Sequence, residues 1–179
     1  MAVELTFESH NTTLDNEAKP QLASGWYDVQ LSPLGVEQAG QLGQRRRDKG
    51  YAAVFCSDLQ RSYKSAEIAF AGIDVPIIRD KRLRECDYGD YTRFPMKEVD
   101  EQKALRVDTP FPGGESYAGA ARRVGEVLHD LRRDYDGKKV LIIGHRATQY
   151  GIEHFVSGAL LKDLVARPFK WQPGWEYTL

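Results

Sequence analysis

Apolar and polar positions alternate over Val3–Phe7, with Val3, Leu5 and Phe7 set against Glu4 and Thr6, which predicts a first β-strand. Residues 11–31 are mostly polar and carry Pro20, Gly25 and Asp28, so they read as a loop. Loops of that length inside compact domains are usually functional or disordered. Ser32-Pro33 then opens a helix, Ser as N-cap and Pro at the first helical position. Val36, Ala39, Leu42 and Gly43 supply its buried stripe, Arg45, Arg46, Arg47 and Lys49 suit its C-terminal dipole, and Gly50 stops it. Ala52–Phe55 is a short apolar run and predicts a second strand. Ser57 and Gln60 have capping-box spacing, which starts a helix at Asp58 that runs to about Phe70.

Val75–Ile78 predicts a third strand. Residues 80–114 look irregular, with Pro95, Pro110, Pro112 and Gly113-Gly114, and a helix over 95–107. A long helix over about 115–135 is carried by Ala120, Val124, Val127, Leu128 and Leu131. Lys139–Ile143 has no alternation and predicts a strand buried on both faces. A helix over 147–157 comes next, then a loop-rich tail with Trp171, Trp175 and Tyr177. This order predicts a three-layer α/β/α sandwich with a mainly parallel central sheet, built as a single domain over residues 1–179.

Composition narrows the function classes. The 179 residues carry 25 Lys+Arg against 26 Asp+Glu, a formal net charge of −1. Global charge therefore gives no reason to expect nucleic acid or an anionic membrane as partner, and any bound anion has to be held by local cations. Cys56 and Cys86 have neither CxxC spacing nor a nearby Cys/His cluster suited to zinc; two free thiols is the plainer reading and one disulfide the other. No basic segment followed by an apolar run opens the chain, and no apolar stretch is long enough to span a bilayer, so a cytoplasmic protein is expected.

In parallel sheets ligands sit beyond the carboxyl ends of the strands. The first strand exits into Ser9-His10-Asn11, the second into Ser57-Asp58 with Arg61 one turn on, the third into Arg82-Leu83-Arg84-Glu85, and the last into Gly144-His145-Arg146. Singly each has a plain structural reading. Arg61 would be a surface charge, and Glu85 would pair locally with Arg82 or Arg84 for about 0–1 kcal/mol. Joint placement of His10, Arg61 and His145 at one sheet edge is what points to chemistry. His129 and His154 fall within helical patterns and receive no role.

These segments resemble the histidine phosphatase (phosphoglycerate mutase-like) superfamily. His10-Asn11-Thr12-Thr13-x-x-Asn16 followed by Gly25-Trp26-x-Asp28 and Leu31-Ser32-x-x-Gly35-x-x-Gln38-Ala39 is similar to its opening signature. Ser57-Asp58-Leu59-x-Arg61-Ser62, Leu83-Arg84-Glu85-Cys86-Asp87-Tyr88-Gly89, Phe111-Pro112-Gly113-Gly114-Glu115-Ser116 and Val140–His145 complete the set in order. The resemblance implies that His10 is the nucleophile that becomes phosphorylated, Glu85 the proton donor, and Arg61 and His145 ligands of the phosphoryl group. It places Thr13 and Asn16 where many members contact phosphate or substrate. It implies a phosphomonoester hydrolase acting on a small phosphorylated metabolite, with no metal and no cofactor. A catalytically weak member that binds a phosphorylated ligand or protein partner is the alternative, and mutase activity is less favoured.

One departure bears on activity. The family's hallmark Arg-His-Gly is Ser9-His10-Asn11 here. A charge-assisted hydrogen bond to phosphate is worth roughly 1.5–3 kcal/mol, so its loss slows a reaction by roughly tenfold to a few hundredfold. Asn also tolerates left-handed backbone next best after glycine. Arg146 is the leading candidate for a compensating cation and Arg84 the second, with Ser9 a neutral donor. The aromatic tail is expected to pack on the sheet edge, with a homo-oligomer contact as the other reading.

Overall fold

A computed structural model describes all 179 residues. Five strands, β1 (Glu4–Ser9), β2 (Ala53–Cys56), β3 (Ile77–Arg79), β4 (Lys139–Gly144) and β5 (Trp175–Thr178), form one sheet in the order β3-β2-β4-β1-β5. The pairs β1–β4, β2–β4 and β2–β3 are parallel, and β5 runs antiparallel to β1. The helices are α1 (Leu14–Glu17), α2 (Pro33–Arg46), α3 (Gln60–Ala69), α4 (Met96–Gln102), α5 (Tyr117–Asp134), α6 (Arg146–Ser157) and α7 (Leu161–Ala166).

Strand pleating divides the core. Val140 and Ile142 of β4 join Leu5, Phe7 and Phe55 against Val124, Val127, Leu128 and Leu131 of α5 and Ile152 of α6. Leu141 and Ile143 face the other way, onto Leu42 of α2 and Ala66, Ala69 and Phe70 at α3. The unalternating β4 is thus buried on both faces, and the layers are α/β/α. A third cluster under the 86–121 excursion ties Tyr88, Phe111 and Tyr117 to Tyr150 and Leu164. No helix is long and apolar enough to cross a membrane.

Several expectations are corrected. Val36 is exposed on α2, and Gly35 takes its place in the buried stripe. The reason is contact: a Cβ on Gly35 would stand 1.9 Å from the Thr12 carbonyl oxygen. Ser57 does not cap α3, which begins at Gln60 behind Leu59; Ser57 Oγ instead accepts the Leu59 N–H and meets His145. The polar 11–31 loop contains α1, capped reciprocally by Thr13 and Asn16. The tail is not loop throughout. It carries α7 and then β5, whose Trp175 and Tyr177 pack on the first core cluster at the sheet edge.

Candidate active site

The carboxyl ends of β1, β2 and β4 open onto a cavity of about 570 Å³. His10 leaves β1 partly buried, with its backbone N–H donating to Gly144 O at the end of β4, 2.9 Å away. Its ring Nδ1 lies 2.8 Å from the Asn11 carbonyl oxygen. A carbonyl only accepts, so Nδ1 carries the proton and Nε2 is left bare. His145, buried at the start of α6, lies beside it with ring centroids 5.1 Å apart and planes tilted by 52°, and holds Ser57 Oγ at 2.7 Å through Nε2.

Burial and the Arg61 charge push His10 down to about 3, against its bond to Asn11, and push His145 well below the usual imidazole range. Both rings are neutral at pH 7. Arg61, on the first turn of α3, is only 2% exposed and has no carboxylate within ion-pairing distance. It donates to Tyr27 O at 3.0 Å and Gly25 O at 2.6 Å. Gly25 sits at φ +52, a left-handed turn that suits glycine, and a Cβ there would press on Tyr88. Two carbonyls of the 11–31 loop thus orient the Arg61 guanidinium.

Glu85 reaches the same cavity from the segment after β3. Cys86 N–H (2.8 Å) and Ala147 N–H (3.1 Å) donate to Oε1, and Arg146 N–H (3.2 Å) donates to Oε2. Its carboxyl is seated on the N-terminus of α6. Behind it, Arg123 of α5 donates to the carbonyls of Arg82, Arg84 and Glu85, and Trp26 Nε1 donates to Glu85 O at 2.7 Å.

A model of the histidine phosphatase superfamily (branch 1) matches residues 10–163. The chain belongs to that superfamily. An uncharacterized phosphatase, PhoE of Bacillus subtilis, is 28% identical over 77% of this chain and 70% of its own. A probable phosphoglycerate mutase, GpmB of Erwinia tasmaniensis, is 33% identical over 76% of this chain and 66% of its own. Among solved structures, Bacillus stearothermophilus YhfR superposes with a TM-score of 0.82 at 24% identity, covering 96% of this chain and 88% of that one. A mycobacterial glucosyl-3-phosphoglycerate phosphatase gives 0.79 at 20% identity, covering 93% and 84%.

In this histidine phosphatase chain, Ser9, His10, Asn16, Arg61, Glu85, His145 and Arg146 all line the one cavity. Two expected residues do not. Thr13 is fully buried and its hydroxyl is engaged with Asn16 in the α1 cap. Arg84 is held away from the cavity by Asp58, bidentate at 2.7 Å and 2.7 Å, and stacks over Trp26. It is not the compensating cation. Arg146 makes no ion pair and stacks its guanidinium 4.5 Å from the Phe169 ring centre.

Sequence reasoning missed the far wall. Gln38, Gln41 and Arg45 project from α2, and Phe169 and Trp171 from the tail. The spacing 38, 41, 45 places those three on one helical face, a polar stripe that was readable. Arg45 pairs with the buried Glu8 rather than only serving the helix dipole. Nothing local in the sequence brings Phe169 and Trp171 back over β1; the antiparallel return of β5 does.

Proposed function

We propose that this chain is a phosphomonoester hydrolase that acts through a phosphohistidine on a small phosphorylated metabolite, using its own side chains without a metal. The observation that carries the reading is Arg61, a buried guanidinium that forms no ion pair and lines an open cavity together with two neutral imidazoles. A buried unpaired charge is costly, and an anionic phosphoryl group is the partner such a site calls for.

On this reading the steps run in order. His10 Nε2 attacks phosphorus, an N–P bond forms, and the P–O bond to the leaving group breaks. Arg61 and His145 hold the equatorial oxygens, where charge is spread in the transition state. Glu85, protonated from solvent before the step, passes that proton to the departing oxygen, then takes one from the water that cleaves the phosphohistidine, restoring both groups. Arg146, which makes no ion pair, adds a second cation to the cavity wall.

Ser9 in place of the motif arginine favours a second reading, a member that binds phosphorylated ligands with little turnover. Joint retention of His10, Asn16, Arg61, Glu85 and His145 around one cavity favours the enzyme. Assay against p-nitrophenyl phosphate and a panel of small phosphomonoesters tests this. Turnover lost in His10→Ala supports the enzyme; no turnover on any substrate refutes it.

A further inference from the structure

The Asn11 carboxamide has no use inside the protein. Asn11 follows His10 in the cavity wall and is 8% exposed. Its backbone is committed: the N–H donates to Ser65 Oγ at 3.2 Å and the carbonyl accepts from His10. Its side chain makes no hydrogen bond to the protein through either atom, and Nδ2 is a buried donor without an acceptor. Such a donor is unfavourable until an acceptor arrives.

Its neighbours are different. The Asn16 oxygen accepts from Thr13 N and Oγ1, and the Gln38 oxygen accepts from Thr12 N and Oγ1, so those amides are pinned. Half a turn about χ2 exchanges the two Asn11 amide atoms, so its NH2 can be presented to a ligand. Nor is asparagine present for its backbone tolerance. Arg93 is the sole non-glycine residue at positive φ, so Asn11 does not occupy the left-handed geometry that its position in the motif suggested.

We propose that Asn11 is a phosphoryl-binding residue, whose amide N–H donors bind the phosphoryl oxygens where the hallmark motif would supply the arginine that Ser9 replaces. The proposal rests on the phosphatase reading. Because the Asn11 backbone N–H is spent on Ser65, a glycine here would offer the ligand no donor, and the side chain supplies one. Beside Arg61 the group that approaches is an anion, which an N–H favours and an amide oxygen repels. The phosphoryl group is then held by one guanidinium and neutral donors.

The test titrates inorganic phosphate into the full chain by calorimetry, alongside melting temperatures without phosphate. Asn11→Ala is expected to weaken phosphate binding about tenfold or more while the phosphate-free melting temperature stays level or rises, since an unmatched donor is removed. Asn11→Asp, the same shape with a negative charge, is expected to lose binding altogether. Adding Ser9→Arg to Asn11→Ala is expected to restore affinity. A purely structural asparagine would instead lower the melting temperature and leave affinity unmoved, and either result overturns the proposal. If Arg61→Lys weakens binding and Asn11→Ala does not, the Asn11 proposal fails and the pocket stands. If the wild-type chain does not bind phosphate, the phosphatase reading fails with it.

Discussion

His10 Nδ1 lies 2.8 Å from the carbonyl oxygen of Asn11, and that bond decides which nitrogen of the ring is free. With the proton on Nδ1 and the ring neutral at pH 7, Nε2 offers its lone pair to the cavity without a base to activate it. The nucleophile is prepared by burial and one backbone contact.

Glu85 should matter according to the leaving group. Alkoxides need a proton and p-nitrophenolate does not, so Glu85→Gln is expected to slow hydrolysis of an alkyl phosphate by roughly a hundredfold or more, with a much smaller effect on p-nitrophenyl phosphate. Equal losses on both substrates would show that Glu85 acts structurally, through its contacts to Cys86, Arg146 and Ala147.

The two candidate cations should separate. Arg84→Ala breaks a partly exposed pair with Asp58, expected to cost about 0.2–1 kcal/mol of stability with little change in turnover. Arg146→Ala removes an unpaired cation from the cavity wall and is expected to raise KM several-fold for a phosphorylated substrate. Steady-state kinetics and denaturant melts of both variants check this.

Stability should depend on pH through the two histidines. The native state holds His10 at about 3, and the unfolded chain titrates near about 6.5. Below that the unfolded state binds protons the native state refuses, so stability is full above about pH 6.5 and falls as pH drops towards 3. His145 acts in the same direction. Denaturant melts from pH 7.5 to 4.5 should show a shallower loss in His10→Gln; an unchanged slope would refute the neutral buried ring.

Restoring the motif cation should help. Ser9 lines the cavity beside His10, and Ser9→Arg is expected to raise kcat/KM for p-nitrophenyl phosphate by roughly tenfold. No gain would show that this pocket, as built around Asn11, no longer has room or need for the guanidinium.

Strand exits were legible because hydrophobic period finds buried strands, and a parallel sheet gathers the residues just past their carboxyl ends at one edge. His10, Arg61, Glu85 and His145 meet for that reason. Ser57 shows where local reading fails: its spacing to Gln60 matches a capping box, yet tertiary contact with His145 claims the hydroxyl. Arg84 and Thr13 fail likewise, since a motif position says nothing of the Asp58 or Asn16 that captures the side chain. Phe169 and Trp171 depend on a long-range return of the chain, which period cannot show.

Phosphoryl transfer through His10 passes through a covalent intermediate that can be trapped. The chain is mixed with p-nitrophenyl phosphate, quenched in alkali, and mapped by mass spectrometry. Phosphate is expected on His10, stable to base and labile to acid, appearing and decaying at the rate of turnover and absent from His10→Ala. Turnover without any phosphohistidine at His10 would contradict it.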